Sequence, residues 1–413
     1  MNKIELLAPA GDLDKLKFAI AYGADAVYIG GEIFGLRASA KNFSFEDMKT
    51  GVNYAHDRGK KVYLVLNIIP HNKDLHLLEG YLKDIREINF DAMILSDPGT
   101  LLFVKEHLPN MEIHLSTQAN NTNYMSAKFW FENGVKRVIL AREMSFEEIA
   151  EILEKAPEGC EFEAFVHGAM CISYSGRCLL SNYMTGRDAN KGDCAQSCRW
   201  NYYLVEEKRP NEYYPVVETE EGTFFFNSKD LCMIEYIPQL IQSGLASLKI
   251  EGRNKSIYYV SNIVRVYREA IDNFYRDPEN FVFKPEWLYE IKKASHRDFT
   301  TGFYNDKPTE NDQHYTSSSY IRGFDFTGVV KDYDPETKLA LVEQRNRMVI
   351  GDVLEVMGPD YFTYNQTITE MFDLAGTPIE VAPHAQQMIY IRVDQPVSEF
   401  YILRRERKDD SFE

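Results

Sequence analysis

Four of the chain's six cysteines lie close together, and this clustering is the strongest chemical signal in the sequence. The clustered residues, with a fifth that follows in N-S-K-D-L-C, are Cys171, Cys178, Cys194, Cys198 and Cys232. Disulfides are disfavoured, because the segment M-N-K-I-E-L-L-A-P lacks the pattern of a secretory signal and so predicts a cytoplasmic protein with reduced thiols. Metal binding and the burial of small apolar thiols remain as explanations.

The spacing of these cysteines favours an iron–sulfur cluster over zinc. The gaps are C-x6-C, C-x15-C and C-x3-C before a long interval to Cys232, whereas structural zinc sites typically use paired C-x2-4-C units. Four thiolates from separated loops can bind a [4Fe-4S] cluster wherever they lie in the sequence. Cys160 stands apart, just before a predicted strand, and is expected to be a buried thiol. Zinc and plain burial of the other thiols stay open at this point.

Length and charge limit the classes of function. The 413 residues suffice for one large domain and a smaller one, and no apolar segment is long enough to cross a membrane. The formal net charge of -17 is unusual for a nucleic-acid binder, since contacts from Lys and Arg to phosphate dominate such affinity. An RNA-binding role would need a local basic surface, for which residues 249–255 and 404–408 are the candidates. Both segments could equally be ordinary solvated surface.

An α/β fold, a TIM-like (β/α)8 barrel, is predicted for the larger domain. Short apolar segments alternate with amphipathic ones, a pattern typical of parallel strands that are buried on both faces. The predicted strands are 4–8, 26–30, 61–67, 92–97, 113–118, 137–142, 162–168 and 247–253. The predicted helices are 12–22, 45–58, 77–88, 100–107, 124–133, 146–155 and 257–275. Eight such units fit a closed barrel better than an open sheet.

A barrel of this kind would gather its functional groups at the carboxyl ends of the strands. The polar residues predicted there to bind substrate are Arg37, Asn67, Gln118, Arg142 and Lys249, and those predicted to be catalytic are His167, Glu251 and Arg253. The cations could hold a dicarboxylate through charge-assisted hydrogen bonds. Several of these residues could have structural roles instead. Asn67 and Asp97 could be helix caps or turn residues, His167 could be a core residue, and Arg37 could be a surface residue. The charges of K-I-E-G-R could form a local ion network.

The regular alternation ends after strand seven, where a cysteine-bearing insertion is predicted at about 169–245 of a barrel domain that covers 1–305. The insertion would place the cysteines over the mouth of the barrel, at the carboxyl ends of its strands. It contains two aromatic segments predicted as strands, N-Y-Y-L-V-E-E and T-F-F-F-N, and a helical segment at 232–243. A polar linker at 306–320 then leads to residues 321–413, where short alternating segments predict a small all-β barrel.

The segment from Glu163 onwards resembles the signature of the peptidase U32 family. The resemblance rests on Glu163, Phe165, Gly168, Cys171 and Cys178 in E-A-F-V-H-G-A-M-C-I-S-Y-S-G-R-C, and it continues through C-A-Q-S-C-R, N-S-K-D-L-C, K-I-E-G-R-N-K-S and H-R-D-F-T-T-G-F-Y. It therefore covers most of the chain, and the C-terminal domain is similar to that of the longer members.

The resemblance implies an iron–sulfur protein rather than a protease. By position, the implied ligands of a [4Fe-4S] cluster are Cys171, Cys178, Cys194 and Cys232, with Cys198 as the possible replacement for one of the later two. The implied function is oxygen-independent hydroxylation of the wobble uridine of tRNA to 5-hydroxyuridine, with prephenate as the source of the hydroxyl group. Aromatic side chains of the insertion could stack on a splayed base; the candidates are Tyr183, Trp200 and Tyr202.

Two other functions stay open. A U32-type peptidase could use a Cys171 thiolate beside His167, although that role leaves the other cysteines without a task. The sequence contains neither H-E-x-x-H nor G-x-S-x-G, the motifs of common metal and serine hydrolases. The second alternative is a non-catalytic partner of another U32 protein.

Overall fold

The computed structural model describes residues 3–32, 34, 42–171, 174, 177–200, 203–204, 214–215, 229–305 and 321–407. Four features of the sequence lie outside these residues and stay predictions: Arg37, Tyr202, the T-F-F-F-N segment and the linker at 306–320.

Eight parallel strands form a closed barrel in the larger domain. The first seven are β1 Glu5–Pro9, β2 Ala26–Gly30, β3 Lys61–Leu66, β4 Ala92–Leu95, β5 Ile113–Leu115, β6 Arg137–Ile139 and β7 Glu161–Ala169. Each pairs in parallel with the next, and a strand at Ser247–Ile250 pairs in parallel with both β7 and β1 to close the ring. Their side chains are almost all buried, because one face fills the barrel and the other packs against helices. The predicted barrel fold is confirmed.

Six helices alternate with these strands. They are α1 Leu13–Ala21, α2 Phe45–His56, α3 Asn72–Ile85, α4 Pro98–His107, α5 Tyr124–Glu132 and α6 Phe146–Lys155. Five of them begin after a residue whose side chain accepts a backbone N–H from the first turn, namely Asp12, Ser44, Asp97, Asn123 and Ser145. Asp97 is therefore a helix cap. The start of α3 lies five residues before the predicted one, because Asp74 accepts the N–H of His71 and fixes an earlier first turn.

The insertion contains less regular structure than the barrel. It holds α7 Leu180–Thr185, an antiparallel pair of β8 Tyr203–Leu204 with β9 Tyr214–Pro215, and β10 Asp230–Cys232. Helix α8 Ile237–Gln242 then leads to β11 Ser247–Ile250, the eighth barrel strand. The prediction of a helix from Cys232 was wrong, because the end of the nine-residue β7 offers an edge to which β10 pairs antiparallel, with Cys232 opposite His167.

The C-terminal domain is an antiparallel sheet structure, as predicted. After α9 Ile257–Arg276, α10 Pro285–Lys293 and β12 Phe299–Thr300, its strands are β13 Phe324–Asp334, β14 Leu339–Gln344, β15 Met348–Val349, β16 Val353–Met357, β17 Thr363–Thr367, β18 Met371–Phe372, β19 Val381–Ala382, β20 Met388–Arg392 and β21 Ile402–Glu406. Seven of them form one sheet with β17 and β18 at its edges. The buried Gln366 side chain of β17 bonds the backbone at Arg392 and Asp394, so the two sides of the sheet approach each other.

The two domains share a buried cluster of charges. Arg404 of β21 is fully buried and donates hydrogen bonds to Glu290 of α10 (2.6 Å), to Glu355 of β16 (2.5 Å) and to Asn262 of α9 (3.0 Å). Lys293 pairs with the same two carboxylates. The prediction that residues 404–408 form an exposed basic surface was wrong for Arg404, because its charge is compensated inside the domain interface.

A second buried ion network lies inside the barrel. The carboxylate of Glu163 accepts hydrogen bonds from Lys249 Nζ (2.9 Å) and Arg137 Nη1 (3.4 Å), and Arg137 also bonds Glu5 (2.6 Å). Burial alone would raise the pKa of Glu163, but the charges of Lys249 and Arg137 hold this pKa below its usual value. The ionised carboxylate is therefore the form that the fold requires.

Acid should destabilise the protein partly through Glu163. A carboxyl group whose pKa is lowered by folding contributes stability above its unfolded pKa, about 4.3, and this contribution is lost as the pH falls through the folded value. We expect the unfolding midpoint in urea to fall between pH 5 and pH 3, roughly the window around that pKa, and to fall less steeply in Glu163→Gln. Equal pH dependence of the two proteins would contradict this role. Glu399→Gln, an exposed change of the same kind, is the control.

Candidate functional site

A cavity of about 190 Å³ lies at the carboxyl ends of the barrel strands. The sequence-predicted residues that line it are Asn67, Gln118, Arg142, Cys171, Cys178, Cys194, Lys249, Glu251 and Arg253. Cys198 lines it as well. The fold therefore brings most of the predicted site into one place, as expected for the mouth of a barrel of this type.

The cysteines form the side of the cavity that belongs to the insertion. Cys171 lies two residues after the end of β7, Cys178 and Cys194 lie on loops before and after α7, and Cys198 lies in the 3-10 turn Ser197–Arg199. The backbone N–H of Gln196 donates to the sulfur of Cys194 (3.4 Å). Within the described part of the chain, no three Cys, His, Asp or Glu side chains converge closely enough to hold a metal ion. The cavity thus gathers four thiols along this side.

Hydrogen bonds fasten the insertion to the opposite rim of the barrel. Arg177 Nη2 donates to the backbone oxygen of Gln118 (3.3 Å), Lys191 pairs with Asp74 (2.9 Å), and the backbone oxygen of Asn190 accepts the N–H of Ile69. These contacts reach the segments that follow β3 and β5. The cysteine loops consequently cover the mouth rather than extend away from it.

Cys232 and His167 lie behind the cavity wall and are not among its lining residues. Both are buried, and the hydroxyl group of Tyr267, which donates to Val166 O (2.8 Å), lies 3.4 Å from His167 Nδ1. Burial raises the pKa of the Cys232 thiol to about 12 and lowers the pKa of His167 to about 3. His167 therefore has the environment of a neutral core histidine, and its catalytic role stays a prediction that these contacts do not support.

Three cations form a second side of the cavity. Arg142 donates to Ala169 O (2.7 Å), and Arg253 donates to Asn42 Oδ1 (2.6 Å). Lys249 lies 4.6 Å from the ring centre of Tyr28 and 5.4 Å from that of Phe165, besides its bond to Glu163. Lys249 and Arg253 are 4 % and 3 % exposed, so the prediction that 249–255 is exposed basic surface was wrong for both. They point their charge into the barrel instead.

Glu251 is the carboxylate that lines the cavity beside these cations. The hydroxyl group of Tyr28 lies 3.3 Å from Glu251 Oε2, and it also donates to Ile250 O (2.9 Å). Tyr28 lies inside the apolar strand β2 and was not predicted as a site residue. Gly30 was missed as well: a Cβ atom there would collide with the guanidinium group of Arg253, so the glycine that ends β2 makes room for this cation.

A third side of the cavity is polar and uncharged. Asn67 Nδ2 donates to Ser116 Oγ (3.0 Å), and neither the cap of α4 nor that of α3 uses Asn67, so it is not a helix cap. Thr117 and Gln118 lie in the 3-10 turn that follows β5. Gln118 is 6 % exposed, and its Oε1 has no hydrogen-bond partner among the described residues. This acceptor lines the cavity and is therefore open to a partner from outside the described residues, such as a bound ligand or a water molecule.

Several large apolar side chains of the insertion are exposed to solvent. The most exposed are Tyr174, Leu179, Tyr183, Met184 and Trp200. Tyr183 is 87 % exposed, so it does not serve as core packing within this chain. A group of exposed aromatic and aliphatic side chains next to a cavity is typical of a binding surface.

These features define a class: a (β/α)8 barrel with a thiol-lined cavity at its mouth and an appended antiparallel sheet domain. The sequence model of peptidase family U32 matches residues 11–314, and that of the peptidase family U32 C-terminal domain matches residues 322–404. The chain belongs to peptidase family U32.

Relatives of known name align over most of the chain. The tRNA hydroxylation protein P1 of Bacillus subtilis is 44 % identical over 98 % of this chain and 95 % of its own length. The tRNA hydroxylation protein P of Escherichia coli is 39 % identical over 98 % of this chain and 96 % of its own length. The 23S rRNA 5-hydroxycytidine C2501 synthase of Escherichia coli is 38 % identical over 66 % of this chain and 40 % of its own length. No helix among the described residues is both long enough and apolar enough to span a membrane.

Proposed function

We infer that this chain is the iron–sulfur protein that hydroxylates the wobble uridine of tRNA to 5-hydroxyuridine without molecular oxygen. The observation that carries the proposal is the single cavity in which four thiols, three cations and an uncharged polar side meet. The names of the two tRNA hydroxylation relatives, which align over almost the whole chain, support the RNA substrate. The rRNA relative is named for a 5-hydroxylated pyrimidine as well, which supports the type of reaction.

The thiols of the cavity fit a [4Fe-4S] cluster by the chemistry of their donor atoms. Cys171, Cys178 and Cys194 line the cavity and are the proposed first three ligands. The fourth ligand is either Cys198, which lines the cavity, or Cys232, which occupies the ligand position implied by the resemblance to the family. The Gln196 N–H that donates to Cys194 is the kind of contact that tunes a sulfur ligand. The proposed compartment is the cytoplasm, because such thiols must stay reduced.

The cationic side would bind the co-substrate. Prephenate is the proposed source of the hydroxyl group, and its two carboxylates match side chains that carry fixed positive charge, here Arg142, Lys249 and Arg253. Lys249 and Arg253 are buried in the barrel and Arg142 is half-buried, and in such an environment charge-assisted hydrogen bonds are stronger than in water. A dicarboxylate would therefore be held at the barrel wall, opposite the cysteine loops that cover the mouth.

The chemistry requires a proton acceptor and an electron acceptor. Replacing C5–H of uridine by C5–OH adds one hydroxide equivalent to the base and releases one proton and two electrons. Glu251 is the cavity carboxylate that can accept the proton, with Tyr28 beside it. A bound [4Fe-4S] cluster would supply one-electron redox chemistry. The two electrons would therefore leave in two successive steps, and their final acceptor would be an external one-electron carrier.

The insertion offers a surface for RNA despite the acidic chain. Between Cys171 and Trp200 it carries four Lys or Arg residues and two Asp residues, although the chain as a whole has a net charge of -17. The exposed Tyr183 and Trp200 could stack on unpaired bases beside the cavity. Because so few phosphate contacts are available, we expect the affinity for tRNA to be modest and to fall as salt is added.

The same structure does not bring together the pair that a peptidase would use. Cys171 lines the cavity, whereas His167 is enclosed by Tyr259, Tyr267 and Phe299 on the far side of β7. A nucleophile needs its base within hydrogen-bonding reach. The hydroxylation proposal gives a role to the thiols, the three cations and Glu251 of the cavity, whereas the peptidase hypothesis uses Cys171 alone.

The test is the modified-nucleoside content of bulk tRNA in anaerobically grown cells that lack this protein. We expect 5-hydroxyuridine and its derivatives to disappear, as measured by mass spectrometry, and to return when the wild-type chain is restored. Glu251→Gln should restore them poorly, and Glu399→Gln, at an exposed position, should restore them fully. Unchanged nucleosides in the deletion strain would refute the proposal.

A further inference from the structure

Two of the three cations and Glu251 come from the part of the barrel opposite the uncharged residues, whereas Arg142 follows β6, next to β5. Lys249, Glu251 and Arg253 belong to β11 and the segment after it, while Asn67 follows β3 and Gln118 follows β5. In the ring order β11-β1-β2-β3-β4-β5-β6-β7, the strand opposite β11 is β4, which lies between β3 and β5. The uncharged group therefore faces the charged group across the barrel axis.

We propose that this division creates two subsites, and that the uncharged one binds the pyrimidine base through Gln118. This inference rests on the proposed function and specifies how its two substrates share the cavity. The base lies against the Asn67, Ser116, Thr117 and Gln118 side, and the carboxylate co-substrate lies against the cations. The base-reading residue is Gln118, since its amide is buried, lines the cavity and has an acceptor that no described residue satisfies.

A glutamine side chain has the chemistry to read this base. Its Oε1 can accept the N3–H of uracil while its Nε2 donates to O4, which forms two parallel hydrogen bonds. Turning the amide over presents the complementary pattern to cytosine, so one glutamine can serve either pyrimidine. No charge is required. An uncharged surface suits the neutral edge of the base, and it does not attract a carboxylate into this subsite.

The neighbouring contacts hold Gln118 in place. The N–H of Gln118 donates to Ser116 Oγ (3.3 Å), which also accepts from Asn67, and the backbone oxygen of Gln118 accepts from Arg177 of the insertion. The side chain thus stands on a turn that is fixed to both the barrel and the cysteine loops. Such support is what a residue needs in order to discriminate between ligands.

The experiment compares the binding of three anticodon stem-loop RNAs that differ only at the target position, which carries U, C or an abasic site. Fluorescence anisotropy with the purified full chain gives the affinity for each. We expect the wild type to bind the U RNA and the C RNA each about tenfold or more tightly than the abasic RNA, since a good bidentate contact has about that effect and the amide can serve either pyrimidine. The preference for U is measured against the abasic RNA. Gln118→Leu should bind the U RNA no better than the abasic RNA, with its affinity for the abasic RNA unchanged.

Two further variants make the outcome specific. Gln118→Glu keeps the size of the side chain but has no donor for O4 when it is ionised, so it should also lose the preference for U even if Gln118→Leu folds poorly. Gln242→Leu makes the same chemical change at an exposed position and should behave as the wild type. Arg253→Gln, in the charged group across the barrel axis, should weaken the binding of prephenate and leave the preference for U over the abasic RNA intact.

The failure of this inference is distinct from the failure of the proposed function. If the wild type hydroxylates tRNA and both Gln118 variants keep the preference for U, Gln118 does not read the base and the division into subsites is refuted. If the deletion strain keeps its 5-hydroxyuridine, the function itself is wrong, whatever the RNA affinities are.

Discussion

Cys171→Ala and Cys178→Ala should each abolish iron binding and hydroxylation. Loss of a contact that merely supports a ligand typically lowers metal affinity by about 10–100-fold, so the loss of a direct thiolate ligand should cost more. We expect anaerobically purified variants to contain less than about a tenth of the iron and acid-labile sulfide of the wild type. Their tRNA should lack 5-hydroxyuridine to the same extent as tRNA from the deletion strain.

Cys160→Ala is the matched control for these variants. Cys160 immediately precedes β7, at the end of the barrel remote from the cavity, and burial raises the pKa of its thiol to about 11. It should therefore retain the iron and activity of the wild type. Wild-type iron content in Cys171→Ala or Cys178→Ala would contradict the proposed cluster site.

The same measurement decides the fourth ligand. Loss of iron in Cys198→Ala with retention in Cys232→Ala would select the four thiols that line the cavity. The reverse result would select the set implied by the family, and β10 would then have to move away from β7 in order to turn Cys232 towards the mouth. Retention of iron in both single variants would contradict a site that needs either of them.

Arg404→Ala should destabilise the protein more than any other single change at the domain interface. It leaves the half-buried Glu355 with Lys293 as its partner and Glu290 with Lys293 and Arg265, and removing one side of a buried ion pair typically costs about 3–5 kcal/mol. The free energy of unfolding, measured in urea with the full chain, should fall by this amount. Arg392→Ala removes an exposed ion pair with Glu370 and should cost less than about 1 kcal/mol. Similar costs for the two variants would contradict the role of the buried cluster.

The fold was predictable because each element has its own local signal. Buried parallel strands are apolar throughout, and capping residues such as Asp12, Ser44 and Ser145 mark where the helices begin. The start of β10 had no such signal, since D-L-C pairs as a strand only because β7 extends past the barrel. Pairing between distant segments is a property of the tertiary structure and cannot be read from the segment itself.

The sequence predicted which residues form the candidate site, but it did not predict how buried these residues are or which partners they contact. Strand ends pointed to Asn67, Gln118, Arg142 and Glu251, and all four line the cavity. Exposure was misjudged for Lys249, Arg253 and Arg404, because a charged residue is buried only when a partner elsewhere compensates it, and Glu163, Asn42 and Glu290 are distant in sequence. His167 was drawn into the site by its place beside Cys171, and regular alternation would put it on the same face as Phe165 and Ala169, which line the cavity. The pairing of β7 with β11 shifts by one residue between Phe165 and His167, and this irregularity turns the His167 side chain to the other face.

Strands β7 and β11 pair directly, although the insertion that carries the cysteines separates them in the chain. The barrel is thus closed by contacts that do not include Cys171, Cys178, Cys194 or Cys198. Evolution could therefore change the length or sequence of these loops, and with them the proposed cluster ligands, while the barrel stays unchanged. The family would then comprise one shared scaffold and a separately evolving chemical module.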